Sequence, residues 1–171
     1  MSNKISFFLL LSVAMGIVVI ASNYLVQFPV NYYGLEKVLT YGAFSYPITF
    51  LITDLANRAY GKSVARKIVY IGFIIGIFLT LLISTNFSDT ISVRIAFGSG
   101  IAFLISQNLD VNIFDRLRNH DWYIAPFVSS LIGSFVDTFL FFSISFYKTG
   151  VPWASLAIGD FFVKLFIALV M

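Results

Sequence analysis

Six charged residues stand inside apolar stretches of this chain: Asp54, Arg58, Arg94 (one turn inside its span), Asp137, Asp160 and Lys164. A charge at the centre of a bilayer costs roughly 2.5–3.5 kcal/mol even on lenient scales, so such residues face a partner or a water-filled cavity. Asp54 and Arg58 are four residues apart in YGAFSYPITFLITDLANRAYGKSVARK, residues 41–67. On a helix that spacing puts both side chains on one face, within pairing distance. It suits a solute site near mid-membrane and equally an ion pair that locks two helices. Asp160 and Lys164 repeat the spacing. Asp137 has no charged residue within ten positions on either side. Ser130, Ser134 and Asp137 recur at helical spacing, with Thr138 alongside, on a phenylalanine-rich segment. A stripe ending in a carboxylate exceeds what helix packing needs and marks Asp137 as a functional acid. Asn23 and Gln27, also four apart, either face a cavity or bond a neighbouring helix. Gln107, Asn108 and Asp110 make one end of another apolar run polar.

The elements that must position these side chains are membrane helices. The chain is 59% hydrophobic and 11% charged, with a mean hydropathy of +0.92. A soluble domain carries about 25% charge, and no soluble core of this length could hide so much apolar surface. The expected fold class is therefore an all-α integral membrane protein with six transmembrane helices in a single domain, 1–171. The spans fall at about 5–28, 41–60, 68–84, 91–109, 122–146 and 154–171. Pro47 lies seven residues before Asp54 and removes one helical hydrogen bond, leaving the Ala43 carbonyl without its usual donor. Gly72 and Gly76 form a small-xxx-small pair that lets helices approach closely. Residues 61–67 read as a tight basic turn and 111–121 as a mixed-charge turn.

Several chemistries are excluded. The net charge of +3 does not indicate nucleic acid, because the charges sit in short loops between apolar runs. No cysteine is present and the one histidine, His120, lies in a loop, so thiolate and histidine-cluster metal sites are ruled out. Gly61-Lys62-Ser63 resembles the end of a phosphate-binding loop, but Ala56 stands where the motif needs glycine. Asn86-Phe87-Ser88 is a chance glycosylation match in a very short loop.

Orientation follows from loop charge. Lys4, Lys62, Arg66, Lys67, Arg116 and Arg118 fall on one side, and Lys37 and Lys148 on the other. Six against two places both termini in the cytoplasm, with Asp54, Arg58, Asp110 and Lys164 toward the cytoplasmic half.

The stretches ASNYLVQFPV, residues 41–67, RIAFGSGIAFLISQNLDVNIFDRLR, WYIAPFVSSLIGSFVDTFLFF and GDFFVKL together resemble the queuosine precursor transporter family, also called the vitamin uptake transporter family. The pattern of TDL followed by Arg, then LDV followed by FDRLR, then VDT carries the specificity. The resemblance implies uptake of 7-deazaguanine precursors of queuosine across a bacterial inner membrane, without enzymatic chemistry or cofactor, and it allows a homodimer. The chain is also similar to the six-helix substrate-binding subunits of energy-coupling-factor transporters. The alternative is thus a binding subunit for a vitamin-like or nucleobase-like solute that needs a separate ATPase.

The residue inventory suits such a ligand. A guanine-like base presents two adjacent donors that one carboxylate accepts together, a carbonyl that needs a donor, and a flat face that needs a platform. Asp54, Asp137 and Asp160 are candidate acceptors. Asn23, Gln27, Arg58, Gln107, Asn108 and Lys164 are candidate donors. The expectation is that Asp137 reads the base edge while Asp54–Arg58 and Asp160–Lys164 shape the cavity. Two further classes compete. An intramembrane aspartyl protease needs a glycine-rich motif around one acid, which LITDLAN and SFVDTFL lack. A ligand-free scaffold leaves several costly buried charges unused.

Overall fold

The computed structural model describes residues 2–170. The apolar runs become helices, the conformation that satisfies every backbone group within the segment where no water is at hand. They are α1 (Ser2–Leu25), α2 (Gly42–Ser45), α3 (Pro47–Tyr60), α4 (Lys62–Leu79), α5 (Thr90–Leu117), α6 (Ile124–Phe146) and α7 (Trp153–Val170). Among the described residues there is no strand, only an isolated bridge from Pro29 to Thr40 that closes the loop after α1. Helices α1, α4, α5, α6 and α7 are each long and apolar enough to cross a membrane.

The sixth apolar segment is α2 and α3 together. Tyr46 between them keeps helical geometry (φ −61°, ψ −37°), so 42–60 runs on as one rod of about 28 Å. The break is in the hydrogen bonding, because Pro47 has no N–H. Just beyond it, the Tyr46 carbonyl accepts from the Thr49 amide at 3.0 Å and the Thr49 hydroxyl at 2.8 Å.

Two expected turns are helical instead. Only Gly61, with φ 83°, turns the chain after α3, and Lys62 to Lys67 form the first turns of α4. Buried Ala65 and Ile68 already belong to the inward face there, while Lys67 is exposed and Arg66 reaches Asn112 on α5. Likewise α5 continues to Leu117 because Val111 and Phe114 are fully covered. The Asn57 amide donates to the Val111 carbonyl at 3.0 Å and fastens that extension to α3. Met171, the expected end of the last span, lies outside the described residues.

Helix α5 packs along α6, α1 along α4, and α7 against α6. The Gly72 and Gly76 pair is what lets α1 approach α4. A Cβ at Gly72 would fall 2.3 Å from Met15 Cγ, and one at Gly76 2.7 Å from Val19 Cβ. Large apolar side chains such as Leu10, Ile74, Phe78, Phe139 and Phe166 face outward, while serine, threonine, asparagine and aspartate are buried. That distribution, a polar interior inside an apolar shell, is what a bilayer around a multi-pass protein selects.

Candidate functional site

Polar residues recur at helical spacing on the inward faces of the bundle. They are Tyr46, Thr49, Thr53 and Asn57 on α3 and its lead-in, and Ser99, Ser106, Gln107 and Asp110 on α5. On α6 they are Ser130, Ser134, Asp137 and Thr138, and on α7 Asp160 and Lys164. All are buried, and most join one polar column along the bundle axis.

The inner layer is centred on Lys164. Its ammonium donates to Asp160 Oδ2 at 2.6 Å, Asp137 Oδ2 at 2.9 Å and Thr138 Oγ1 at 3.0 Å. Its three protons are therefore all used. The Thr138 hydroxyl donates in turn to Asp160 Oδ2 at 2.7 Å. Asp137 Oδ1 accepts from the Tyr46 phenol at 3.0 Å and from Ser106 at 3.2 Å. Lys164 Nζ also stands 4.8 Å from the centroid of the Tyr46 ring. The layer holds two carboxylates, one cation and a full set of donors. Removing one partner of such a buried pair costs about 3–5 kcal/mol, because the other charge is left uncompensated.

The middle layer is the Gln107 amide. It donates to Thr49 Oγ1 at 3.0 Å and accepts from the Thr53 hydroxyl at 2.5 Å. The outer layer is Asp54, which accepts from Ser130 at 3.0 Å and Ser129 at 3.4 Å. The fully buried Asp110 carboxyl lies beside that of Asp54. Gly133 lets α6 lie close against α3 and α5 here, since a Cβ there would fall 2.7 Å from the Phe50 ring and 3.3 Å from Asp110 Cβ. Ser130 and Asp137 are seven residues apart on α6, so the outer and inner layers are separated by about 10 Å.

Open space is distributed unequally between the layers. A cavity of about 520 Å³ adjoins the outer layer, at the end of the bundle where α3 and α5 finish and α6 begins. Asp54, Arg58 and Ser130 are polar parts of its wall, and Phe114, Trp122, Tyr123 and Phe127 are aromatic ones. The volume is in the range of small-molecule sites. The space beside Asp137, Asp160 and Lys164 is about 20 Å³, room for a single water.

The predicted pairs fare differently. Asp160 and Lys164 form the ion pair their spacing allows, and Asp137 joins it from α6. Asp54 and Arg58 do not pair, which corrects the expectation drawn from the same spacing. Arg58 sits at the exposed end of α3, donates to the Trp122 carbonyl and lies 5.7 Å over the Phe114 ring. Asn23 bonds a neighbouring segment, donating to Thr80 Oγ1 at 3.0 Å, and also lines the small space near Lys164. Gln27 donates to the Asn23 carbonyl at 3.2 Å. Gln107 stands in the column. Asn108 turns away from it, donating to the Leu104 carbonyl and accepting from Tyr70. Ser134 is buried on the stripe between Ser130 and Asp137. Sequence reasoning passed over Tyr46, Thr49, Thr53, Ser106 and Ser129. The signal lies in the recurrence of polar residues every three or four positions, Tyr46, Thr49 and Thr53 leading into and along α3, Ser106 with Asp110 on α5, and Ser129 beside the stripe on α6.

A family model described as "Putative vitamin uptake transporter" matches residues 40–171. The chain is 35% identical to a "Probable queuosine precursor transporter" of Haemophilus influenzae, over 90% of this chain and 78% of that protein. It is also 35% identical to the "Queuosine precursor transporter" of Escherichia coli, over 90% of this chain and 77% of that protein. A "Probable queuosine precursor transporter" of Bacillus subtilis is 28% identical over 94% of the chain and 79% of its own length. No solved structure matches.

Proposed function

Because the chain belongs to the vitamin uptake transporter family, we propose that it imports a queuosine precursor, a 7-deazaguanine base, across the bacterial inner membrane. It does so as one six-helix unit with no cofactor and with both termini in the cytoplasm. The observation that carries the choice of site is the cavity of about 520 Å³ beside Asp54. It combines the three features a guanine-like base requires. A carboxylate at the wall, Asp54, accepts the ring N–H and the exocyclic amine together. Aromatic side chains, Trp122 and Phe127 foremost, receive the flat face. The Arg58 guanidinium supplies the donor for the carbonyl.

Asp137 takes a different role in this reading from the one its sequence context suggests. Both of its oxygens are already bonded and the adjoining space has room for no more than one water. With Asp160 and Lys164 it closes the column on the far side of the substrate cavity. A base that crossed the bundle would have to part this layer. The Lys164 cluster is therefore the gate on the side away from the cytoplasm, and the cavity at Asp54 faces the cytoplasm.

The test is uptake of a radiolabelled deazaguanine precursor into liposomes holding only the purified chain. Saturable uptake, competed by excess unlabelled base, is expected. Binding without uptake would transfer the energy source to a partner ATPase. Folded protein that neither binds nor takes up the base would end the reading.

A further inference from the structure

The outer layer of the column has fewer protons than its acceptors need. Asp54 and Asp110 bring four carboxylate oxygens into one buried site. Among the described residues only two hydroxyls serve them, those of Ser129 and Ser130. Ser130 is committed to Asp54 Oδ2 at 3.0 Å. Ser129 has one proton to divide among the Pro126 carbonyl at 3.3 Å, Asp54 Oδ1 at 3.4 Å and the adjacent Asp110 carboxyl, which it does not reach in full hydrogen-bond geometry. Both oxygens of Asp110, which is fully buried, are left without a donor.

The surrounding cations do not fill the gap. On α3, Arg58 is held by the Trp122 carbonyl. On α4, Lys62 faces Asp115 at 4.0 Å and Arg66 donates to Asn112. On α5, Arg118 is taken by Asn57 and Asp115. On α7, Lys164 belongs to the inner layer. The acid on α6, Asp137, is bound by Lys164, and the span of α1 from Ile5 carries no charge.

We propose that Asp110 is the proton-coupling site of this transporter, taking up one proton as the substrate cavity fills and releasing it as the cavity empties. The proposal rests on the functional reading above, and it adds the energy source. The physical reason is desolvation. While the cavity is open, water reaches the pair through the wall at Asp54. A base seated there expels that water. Asp54 is compensated by the two N–H donors of the base, but Asp110 behind it has none. An ionised Asp110 would then be a buried charge without a partner, which is the costliest arrangement available. One proton on Asp110 removes that charge and can be donated to Asp54 as an O–H···O bond. Base and proton thus enter together, and the higher pH of the cytoplasm draws both off. The balance is one proton carried inward with each neutral base.

The experiment compares wild type with D110N, which holds Asp110 in its neutral shape. Wild-type binding of the base is expected to weaken by up to about tenfold per pH unit once Asp110 ionises, and the protein should accumulate base only when the outside is more acidic. D110N should bind with no such pH dependence, exchange labelled for unlabelled base across the membrane, and fail to accumulate it. Accumulation by D110N equal to wild type overturns the proposal, as does wild-type binding that is flat with pH or accumulation that follows a sodium gradient instead. A second measurement does not use the base as its probe. Infrared spectroscopy of wild type without substrate, scanned downward in pH, should show a protonated-carboxyl C=O band that D110N lacks. If that band appears while no base binds, the proton site stands and the substrate reading falls. If the band is absent, the proton site falls.

Discussion

Lys164 on α7 donates to Asp137 on α6 at 2.9 Å, and that one bond joins the isolated acid of the sequence to an acid–base pair on another helix. Neither residue would be tolerable alone at this depth. Asp137 gains a cation, and Lys164 gains the second carboxylate that its neighbour Asp160 cannot supply. The consequence is a rigid polar layer whose members stand or fall together.

Lys164→Met should therefore be among the most damaging single changes in the chain. It leaves Asp137 and Asp160 facing each other with no cation, at an expected cost of about 3–5 kcal/mol. Thermal unfolding in detergent measures it. Adding Asp160→Asn to that variant should recover part of the loss, because one of the two uncompensated charges is gone. Strict additivity of the two changes would contradict a shared network.

Asp54→Asn should behave in the opposite way. Its donors are two serine hydroxyls, one on each oxygen; the amide oxygen of asparagine keeps one, and its NH2 donates to the hydroxyl oxygen of the other. Stability should change little, while affinity for the deazaguanine base falls about 10- to 150-fold, the worth of one charge-assisted hydrogen bond. Asp137→Asn should show the reverse: affinity within a few-fold of wild type and a clearly lower melting temperature. Equilibrium binding and thermal unfolding on both variants decide between the two acids. If Asp137→Asn abolished binding in well-folded protein, the base would sit at the inner layer and the assignment of the cavity would be wrong.

Trp122→Ala removes an aromatic wall of the cavity but leaves the backbone carbonyl that holds Arg58. Stacking on one aromatic ring is worth about 1–3 kcal/mol per base, so the dissociation constant should rise roughly 5- to 150-fold. Trp122→Phe should restore most of it. Equal affinity in the alanine variant would place the base elsewhere.

Much of this architecture is legible from residue types alone, and the exceptions share a cause. Six apolar runs announce the helices because hydrocarbon leaves the backbone little choice. Their ends are harder to read. Lys62 to Lys67 and Val111 to Leu117 carry charge, but each also carries a residue, Ala65 or Phe114, that the bundle covers completely. Spacing is equally ambiguous. Asp160–Lys164 and Asp54–Arg58 have the same interval and only the first pair forms. Lys164 is enclosed by α6, whereas Arg58 reaches the end of α3 and finds a carbonyl and a ring there. An interval within one helix states what two side chains can do, and their neighbours on other helices decide whether they do it. For that reason the meeting of Asp110 with Asp54, or of Tyr46 with Asp137, could not be read from the sequence.

The narrowest contact in the outer layer supplies a last prediction. Gly133 lets α6 press against Phe50 and Asp110, and a methyl group there would stand 2.7 Å from the Phe50 ring. Gly133→Ala should force the ring or the helix aside and cost about 1–3 kcal/mol, the usual penalty of overpacking. The consequence should reach beyond stability, because Asp110 Cβ is 3.3 Å from the same point. A shifted α6 carries Ser129 and Ser130 away from the two carboxyls. Binding of the base should therefore weaken along with the melting temperature. A packing change of similar severity at Gly72, between α1 and α4, should lower only the melting temperature. Measuring both quantities for Gly133→Ala and Gly72→Ala separates the two. Equal loss of affinity in both variants would mean that the site senses the stability of the whole bundle and not the seating of α6 against Asp110.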